Sequence, residues 1–215
     1  MHTLIISGGN VDKDFALDFI KAIRPDKIIA VDKGLEFAYY NQVPLDMIVG
    51  DFDSVSKEIL AFYQNEGKVS IATYSANKDA PDTELAIEKA IAIKSEKISI
   101  LGATGTRIDH MLGNLNCLSK ALKVGIAAAI IDANNHISLL QGETIIRRDQ
   151  QFGKYVSFLP FGGEVKGMCL EGFKYQLSNY TLAIDATIGI SNEFEAPVAK
   201  VSLASGTLIK IESRD

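Results

Sequence analysis

The sequence has few cysteines, no long hydrophobic run and no excess of positive charge, and each shortage excludes a class of protein. Its two cysteines, Cys117 and Cys169, stand in apolar surroundings without metal-like spacing, so a disulfide framework is not expected. The most apolar later stretch, residues 125–131, is far too short to cross a bilayer. With 22 basic and 27 acidic residues the net charge is −5, which argues against nucleic acid or an anionic membrane as the main partner.

The first residues also lack the pattern of a secretory signal. They contain no basic region, and their apolar run stops at Ile6. The composition, with 47% hydrophobic and 23% charged residues in 215, is typical of a globular protein with a substantial core. We therefore expect a cytoplasmic protein that binds neither membrane nor nucleic acid.

The first 130 or so residues alternate strand and helix patterns. Short β-branched runs predict strands at 3–6, 27–31, 47–49, 69–73, 97–101 and 127–131. Helical patterns lie between them at 12–23, 56–67, 81–93 and 107–122. Strands that alternate with helices predict a mostly parallel sheet covered on both faces.

The pattern changes near residues 132–136. Beyond them, strand-like runs separated by Gly, Asn and Pro follow at 137–140, 143–147, 155–159, 165–170, 180–186, 199–203 and 207–212. Short strands at this spacing predict an antiparallel β-sandwich or small barrel. The sequence therefore predicts an α/β domain over residues 1–133 and an all-β domain over residues 134–215.

Polar segments rich in Gly or Asp follow successive strands of the first domain. They are "SGGN" (7–10), "VDKG" (31–34), "GDFDS" (50–54), "NKDAPDTE" (77–84) and "GATGTRIDH" (102–110). Because ligands of open α/β sheets bind at the carboxyl ends of the strands, these segments predict one site. Its carboxylates would be Asp32, Asp51, Asp53, Asp79, Asp82 and Asp109.

Carboxylates gathered at one edge of a sheet need a cation, because like charges repel and buried charge must be paired. A hard divalent metal meets this need, and Mg²⁺ typically takes one or two carboxylates together with substrate phosphates. We therefore interpret Asp51 and Asp53 as half of a metal–phosphate site. In isolation such a D-x-D is more often a solvated turn, and Asp79 and Asp82 could be helix-start acids favoured by the helix dipole.

The segment "GATGTRIDH" has the features of a phosphate site. Its two glycines let backbone N–H groups approach a phosphate, and the helix that begins near Arg107 offers its positive end. Arg107 adds a planar, permanently charged fork. No Walker A loop and no dinucleotide fingerprint is present. Neither cysteine lies in these loops and no G-x-S-x-G elbow occurs, which favours chemistry in which the substrate brings the nucleophile.

Five motifs in order resemble the thiamine pyrophosphokinase family, and the resemblance covers essentially the whole chain. They are "GDFDS" (50–54), "KDAPDTELA" (78–86), "GATGTRIDHMLGNL" (102–115), "FKYQL" (173–177) and "ISNEF" (190–194). The resemblance implies transfer of a pyrophosphoryl group from ATP to the hydroxyl of thiamine, with release of AMP. It also implies Mg-ATP in the α/β domain and a thiamine site, formed with the β-domain, at a homodimer interface.

The resemblance implies roles for particular residues of the first domain. The catalytic carboxylates would be Asp51, Asp53, Asp79 and Asp82. Three of these, Asp51, Asp53 and Asp82, would bind Mg²⁺. The residues at ATP would be Asp32, Ser54, Arg107, Asp109 and His110.

In the second domain the resemblance implies that Tyr175 stacks on a thiamine ring, with Ser191 and Asn192 lining the pocket. An aromatic face suits a cationic thiazolium. From the residues alone, Tyr175 could equally be a core aromatic and "SNE" an ordinary turn. Two other functions use the same features: a metal-dependent phosphohydrolase, and a non-catalytic sensor of thiamine or nucleotide.

Overall fold

The computed structural model describes residues 1–53, 55–74, 81–105 and 107–215, which form two compact units, Met1–Ala133 and Asn134–Asp215. The strands described in the first unit are β1 (His2–Ile6), β2 (Lys27–Val31), β3 (Met47–Gly50), β4 (Ser70–Thr73), β5 (Lys97–Leu101) and β6 (Ala127–Ile131). Its helices are α1 (Lys13–Ile23), α2 (Gly34–Tyr40), α3 (Lys57–Glu66), α4 (Asp82–Ala92) and α5 (Ile108–Lys123).

The strands of the first unit form a parallel sheet in the order β6-β5-β1-β2-β3-β4. Ile5 of the central strand β1 lies opposite Ile29 on one side and Ile100 on the other. Successive residues of β1, β2 and β5 are buried, as expected for strands with both faces covered. The predicted α/β fold of this part is therefore confirmed.

Helix α2 of the first unit was not predicted from the sequence. It has only seven residues, and no side chain caps its amino end at Lys33. Its Leu35 and Ala38 are fully buried. Packing against the sheet, rather than a capping signal, therefore defines this helix, since short helices depend on tertiary contacts.

Helices α4 and α5 are joined by an ion-pair cluster. The ammonium of Lys120 lies 2.6 Å from a carboxylate oxygen of Glu84 and 2.6 Å from one of Glu88. Cys117 is buried beside this cluster, and burial together with the Glu84 carboxylate raises the pKa of its thiol to about 11. The thiol is therefore protonated near neutral pH and behaves as a small apolar side chain.

The second unit consists of short strands. They are β7 (Asn135–Leu140), β8 (Glu143–Arg147), β9 (Tyr155–Pro160), β10 (Val165–Glu171), β11 (Leu177–Leu182), β12 (Asn192–Glu193), β13 (Val198–Ser202) and β14 (Leu208–Ser213). Within this unit they form two antiparallel layers, β12-β9-β14-β7 and β11-β10-β13-β8. The predicted antiparallel β-sandwich is confirmed.

The sandwich core contains aromatic rings from β9 and from the segments between strands. The ring centroid of Phe173 lies 5.5 Å from that of Phe158 and 5.1 Å from that of Phe194. One strand prediction was misplaced: residues 180–186 were expected to form a strand, whereas β11 covers Leu177–Leu182 and turns follow it. Within the predicted range, Ile184 is exposed on one of those turns.

An ion pair is buried within this sandwich. The Lys210 ammonium lies 2.6 Å from Oε2 of Glu212, two residues along β14, and the two side chains are 11% and 5% exposed. His136 on β7 lies opposite Glu212, and its Nδ1 is 3.5 Å from the same oxygen.

Across the described residues, no helix is both long and apolar enough to span a membrane.

Candidate active site

The loops after β1 and β5 meet at the switch point of the parallel sheet. From β1 the chain crosses to β2 on one side, whereas from β5 it crosses to β6 on the other, and ligands of open α/β sheets bind at such a point. The backbone N–H of Gly9 donates to the Gly102 carbonyl at 2.8 Å. A methyl group on Gly9 would lie 2.4 Å from that oxygen, so only glycine permits this backbone contact.

The amino ends of α4 and α5 are attached to the same loops. The Ser7 hydroxyl, just beyond β1, is hydrogen-bonded to the hydroxyl of Thr83 in the first turn of α4. The side-chain amide of Asn114 on α5 donates to the Ala103 carbonyl at 2.9 Å. Asp82, the first residue of α4, is therefore held next to the end of β1.

Asp32 lies where the loops after β1, β2 and β3 come together. Its backbone is left-handed, with φ of 47°. A methyl group on Gly50 would lie 2.7 Å from its Oδ1, and one on Gly8 would lie 3.3 Å from its Cβ. The Asp32 carboxylate is therefore packed against the start of the "GDFDS" segment, as the sequence predicted for strand-end loops.

The two aspartates of the D-x-D motif flank a residue anchored in the core. Phe52 is 9% exposed and packs with Leu35, Ile48 and their neighbours, although its φ is +63°. The backbone N–H of Asp53 donates to Oδ1 of Asp51 at 3.1 Å, which closes a tight turn. The Phe52 side chain therefore anchors this loop to the core, while Asp53 in the same loop is exposed.

Arg107 and Asp109 form a two-point ion pair at the amino end of α5. Nε of Arg107 lies 3.2 Å from Oδ1 of Asp109, and its terminal nitrogen lies 2.6 Å from Oδ2. This hydrogen bonding by Arg107 lowers the pKa of the Asp109 carboxyl to about 2. His110 follows on the exposed surface of the same turn, so all three side chains are accessible at the positive end of the helix.

We expect a pH titration to detect this pair. A carboxyl whose pKa is lowered in the folded state stabilises the protein at pH values above its unfolded-state pKa, which is about 3.9 for Asp. That stabilisation is lost as the pH falls through the folded-state pKa of about 2. The NMR titration midpoint of Asp109 should lie near 2 in the wild type and return towards about 3.9 in Arg107→Met. A wild-type midpoint near the unfolded value would show that the pair does not form in solution.

The predicted metal ligands are only partly brought together. Among the residues that the structure describes, no three His, Cys, Asp or Glu side chains are grouped closely enough to hold a metal ion. Asp51 and Asp53 share one loop, and Asp82 begins α4. Asp79 and Ser54, also predicted for this site, lie outside the described residues.

The predicted thiamine residues differ from one another in exposure. Tyr175 is 56% exposed, so it is not a core aromatic, and the Lys174 ammonium lies 5.4 Å from its ring centroid. Asn192 is buried. Ser191 has φ of 58°, and its N–H donates to the hydroxyl of Ser157 on β9 at 3.0 Å.

Comparison with known proteins identifies the family. The family model for the catalytic domain of thiamin pyrophosphokinase matches residues 22–130, and the model for its vitamin B1 binding domain matches residues 143–208. The chain belongs to the thiamine pyrophosphokinase family. A thiamine pyrophosphokinase of Bacillus subtilis is 36% identical over 189 residues, which are 87% of this chain and 87% of the relative.

Solved structures of thiamine pyrophosphokinases have the same fold. The crystal structure of the Bacillus subtilis enzyme aligns with a TM-score of 0.88 and 30% identity, covering 100% of both chains. That of the Geobacillus thermodenitrificans protein aligns with a TM-score of 0.85 and 27% identity, covering 100% of this chain and 98% of the other. The family prediction made from five motifs is confirmed.

Sequence reasoning missed residues that support the site in this family member. Ser7 and Thr83 lie inside the polar segments that it identified, but their mutual hydrogen bond joins positions 76 residues apart. Asn114 lies within the motif 102–115, yet only the fold shows that its amide holds the Ala103 carbonyl. These contacts depend on which strands are neighbours, and a single sequence does not contain that information.

Proposed function

We propose that this protein transfers the pyrophosphoryl group of ATP to the hydroxyl of thiamine, giving thiamine diphosphate and AMP. Membership of the thiamine pyrophosphokinase family carries the proposal, because the catalytic and vitamin B1 binding models both match, in order. The position of the polar loops at the switch point of the sheet supports it, since phosphate-bearing ligands bind there in α/β proteins.

We propose Asp51, Asp53 and Asp82 as ligands of Mg²⁺, with Asp79 as a fourth catalytic carboxylate. Carboxylate oxygens are the donors that this hard cation prefers. The described residues offer two carboxylates in one tight turn rather than a complete cage, which suits an ion that takes one or two carboxylates and completes its shell with phosphate oxygens and water. When bound, Mg²⁺ would neutralise negative charge on the phosphates.

For the nucleotide we propose contacts with Asp32, Ser54, Arg107, Asp109 and His110. The Arg107 fork is exposed at the amino end of α5, where a phosphate would meet both the guanidinium and the helix dipole. Its present partner is the Asp109 carboxylate. A phosphate would therefore compete with Asp109, and the displaced carboxylate would remain available for a polar group of the nucleotide.

For thiamine we propose that Tyr175 stacks on one ring, with Ser191 lining the pocket and Asn192 belonging to the site through its hydrogen bonds to Tyr175. The half-exposed ring of Tyr175 is accessible to a ligand and can attract a cationic thiazolium.

We also propose a homodimer. Its support is the exposed apolar loop of Ile184, Ile188 and Ile190 that precedes Ser191, because grouped exposed apolar residues are typical of association surfaces.

The cytoplasm is the proposed location, in agreement with two cysteines that are both free thiols.

In the proposed reaction the acceptor hydroxyl of thiamine would act as the nucleophile, and this chain would position the phosphates and the metal. An aspartate near the metal would orient or deprotonate that hydroxyl.

The deciding experiment measures AMP release from Mg-ATP with and without thiamine, together with the mass of the thiamine product. The proposal expects AMP only with thiamine, a product heavier by one pyrophosphoryl group, and loss of turnover with a chelator that added Mg²⁺ restores. AMP or ADP without thiamine would indicate a phosphohydrolase. Tight thiamine binding without turnover would indicate a sensor.

A further inference from the structure

We propose that Asn192 is a positioning residue that fixes the backbone of Tyr175, and that it makes no direct contact with thiamine. The inference rests on the proposed function only for the role of the Tyr175 ring. It is carried by the hydrogen bonds of the Asn192 side chain, which are directed at the protein backbone.

The Asn192 amide pairs with both backbone groups of Tyr175. Its Oδ1 accepts from the Tyr175 N–H at 2.9 Å, and its Nδ2 donates to the Tyr175 carbonyl at 2.7 Å. The same side chain therefore gives Tyr175 what a residue on a neighbouring antiparallel strand would give, one donor and one acceptor.

Little hydrogen-bonding capacity remains for a ligand. Oδ1 of Asn192 also accepts from the Glu193 N–H at 2.9 Å, so three of the four bonds available to an amide side chain are made within the protein. The residue is 2% exposed. A thiamine molecule would reach it only by displacing the backbone that it holds.

Asn192 is itself held by strand β9 of the sandwich. It lies opposite Val156 in the β12–β9 pair, and the N–H of the preceding Ser191 is bonded to the Ser157 hydroxyl. On the other side, the Lys174 N–H donates to the Glu193 carbonyl at 2.9 Å. Both backbone groups of Tyr175 are therefore bonded to the side chain of a residue on β12, and the N–H of the neighbouring Lys174 is bonded to the backbone of the same strand.

This attachment matters because the Tyr175 ring has little packing of its own. With 56% of the residue exposed, packing restrains the ring less than it restrains a core aromatic, so the position of its backbone matters more. A binding group that is held in place before the ligand arrives avoids the entropy cost of ordering it on binding. Loss of the Asn192 amide should therefore weaken thiamine binding without altering the phosphate site.

The test compares Asn192→Asp with Asn179→Asp. The first variant keeps the oxygen acceptor but removes the donor to the Tyr175 carbonyl, and the second makes the same chemical change at an exposed residue of the same unit. Asn192→Asp should raise the KM for thiamine at least about tenfold, because it removes one hydrogen bond and sets a carboxylate oxygen against the Tyr175 carbonyl, and it should leave kcat and the KM for ATP within about twofold. Asn179→Asp should leave all three unchanged.

A double-mutant cycle with Tyr175→Ala separates positioning from direct contact. If Asn192 acts through Tyr175, Asn192→Asp should raise the thiamine KM by less than about twofold once the ring is absent. A full tenfold effect in the Tyr175→Ala background would overturn the proposal, because it would show that Asn192 contacts the substrate directly.

Amide hydrogen exchange tests the structural part without any substrate. The Tyr175 N–H should be protected in the ligand-free wild type and should exchange faster in Asn192→Ala, while the amides of β14 keep their protection. An unprotected Tyr175 N–H in the wild type would contradict the inference. Failure of thiamine-dependent AMP release would instead reject the proposed function and leave this measurement intact.

Discussion

Replacing Asp51 by asparagine is expected to lower thiamine-dependent AMP formation by at least about a hundredfold. The asparagine oxygen can still accept the Asp53 N–H, so the turn is preserved while one negative charge is removed. Charge stabilisation by a catalytic metal is worth several kcal/mol, and about 3 kcal/mol corresponds to a factor of about 10² in rate. The measurement is kcat/KM for Mg-ATP at saturating thiamine.

Asp185→Asn is the matched control for this loss. Asp185 is exposed on a turn of the second unit, and its replacement changes the net charge equally. We expect activity within about twofold of the wild type, as is usual for surface substitutions away from a site. Retention of more than a tenth of wild-type activity by Asp51→Asn would reject the carboxylate as a metal ligand.

The second large effect concerns stability. Glu212→Gln leaves the Lys210 ammonium buried without its carboxylate, and breaking a buried ion pair on one side typically costs about 3–5 kcal/mol. For a chain of this size that corresponds to a fall of at least about 6 °C in the midpoint of thermal unfolding. Circular dichroism melting of the wild type and the variant measures it.

Two comparisons define the origin of that loss. Lys200 and Glu143 form an ion pair across β13 and β8 with nearly the same separation, 2.7 Å, but both side chains are more exposed, and Glu143→Gln should cost less than about 1 kcal/mol. Replacing both buried partners, as in Lys210→Met with Glu212→Leu, should restore most of the stability. Equal costs for Glu143→Gln and Glu212→Gln would contradict the role assigned to burial.

Much of the fold could be predicted from the sequence because local patterns and tertiary packing agree there. The strands β2, β5 and β6 are short, largely apolar segments between polar loops, and their bounds match the prediction. Helix α2 could not be predicted, because it has only seven residues, lacks a side-chain cap at its amino end and depends on packing. In β14, Lys210 and Glu212 are more buried than Ile209 and Ile211, against the usual alternation.

The candidate site was predictable in composition but only partly in arrangement. The acidic and glycine-rich loops follow their strands, so their approach to one edge follows from a parallel sheet. The pairing of Asn192 with Tyr175 joins residues 17 positions apart through a two-residue strand, too short to leave a periodic signal. The resemblance implied that its side chain lines the thiamine pocket, and its described hydrogen bonds are with the backbone of Tyr175 and Glu193.

Position 52 satisfies two opposed requirements. Glycine at this position would relieve the left-handed backbone and stabilise the folded state by about 1–2 kcal/mol. Removing the Phe52 side chain would leave apolar space in the core and destabilise the folded state by about 3–5 kcal/mol. The aromatic residue is the better compromise, and it makes the loop geometry a property of the core. A change in the spacing of Asp51 and Asp53 would therefore require repacking of the core residues around Ile48 and Ile59. Any substitution that alters the geometry of this loop would consequently also alter the folding stability of the unit.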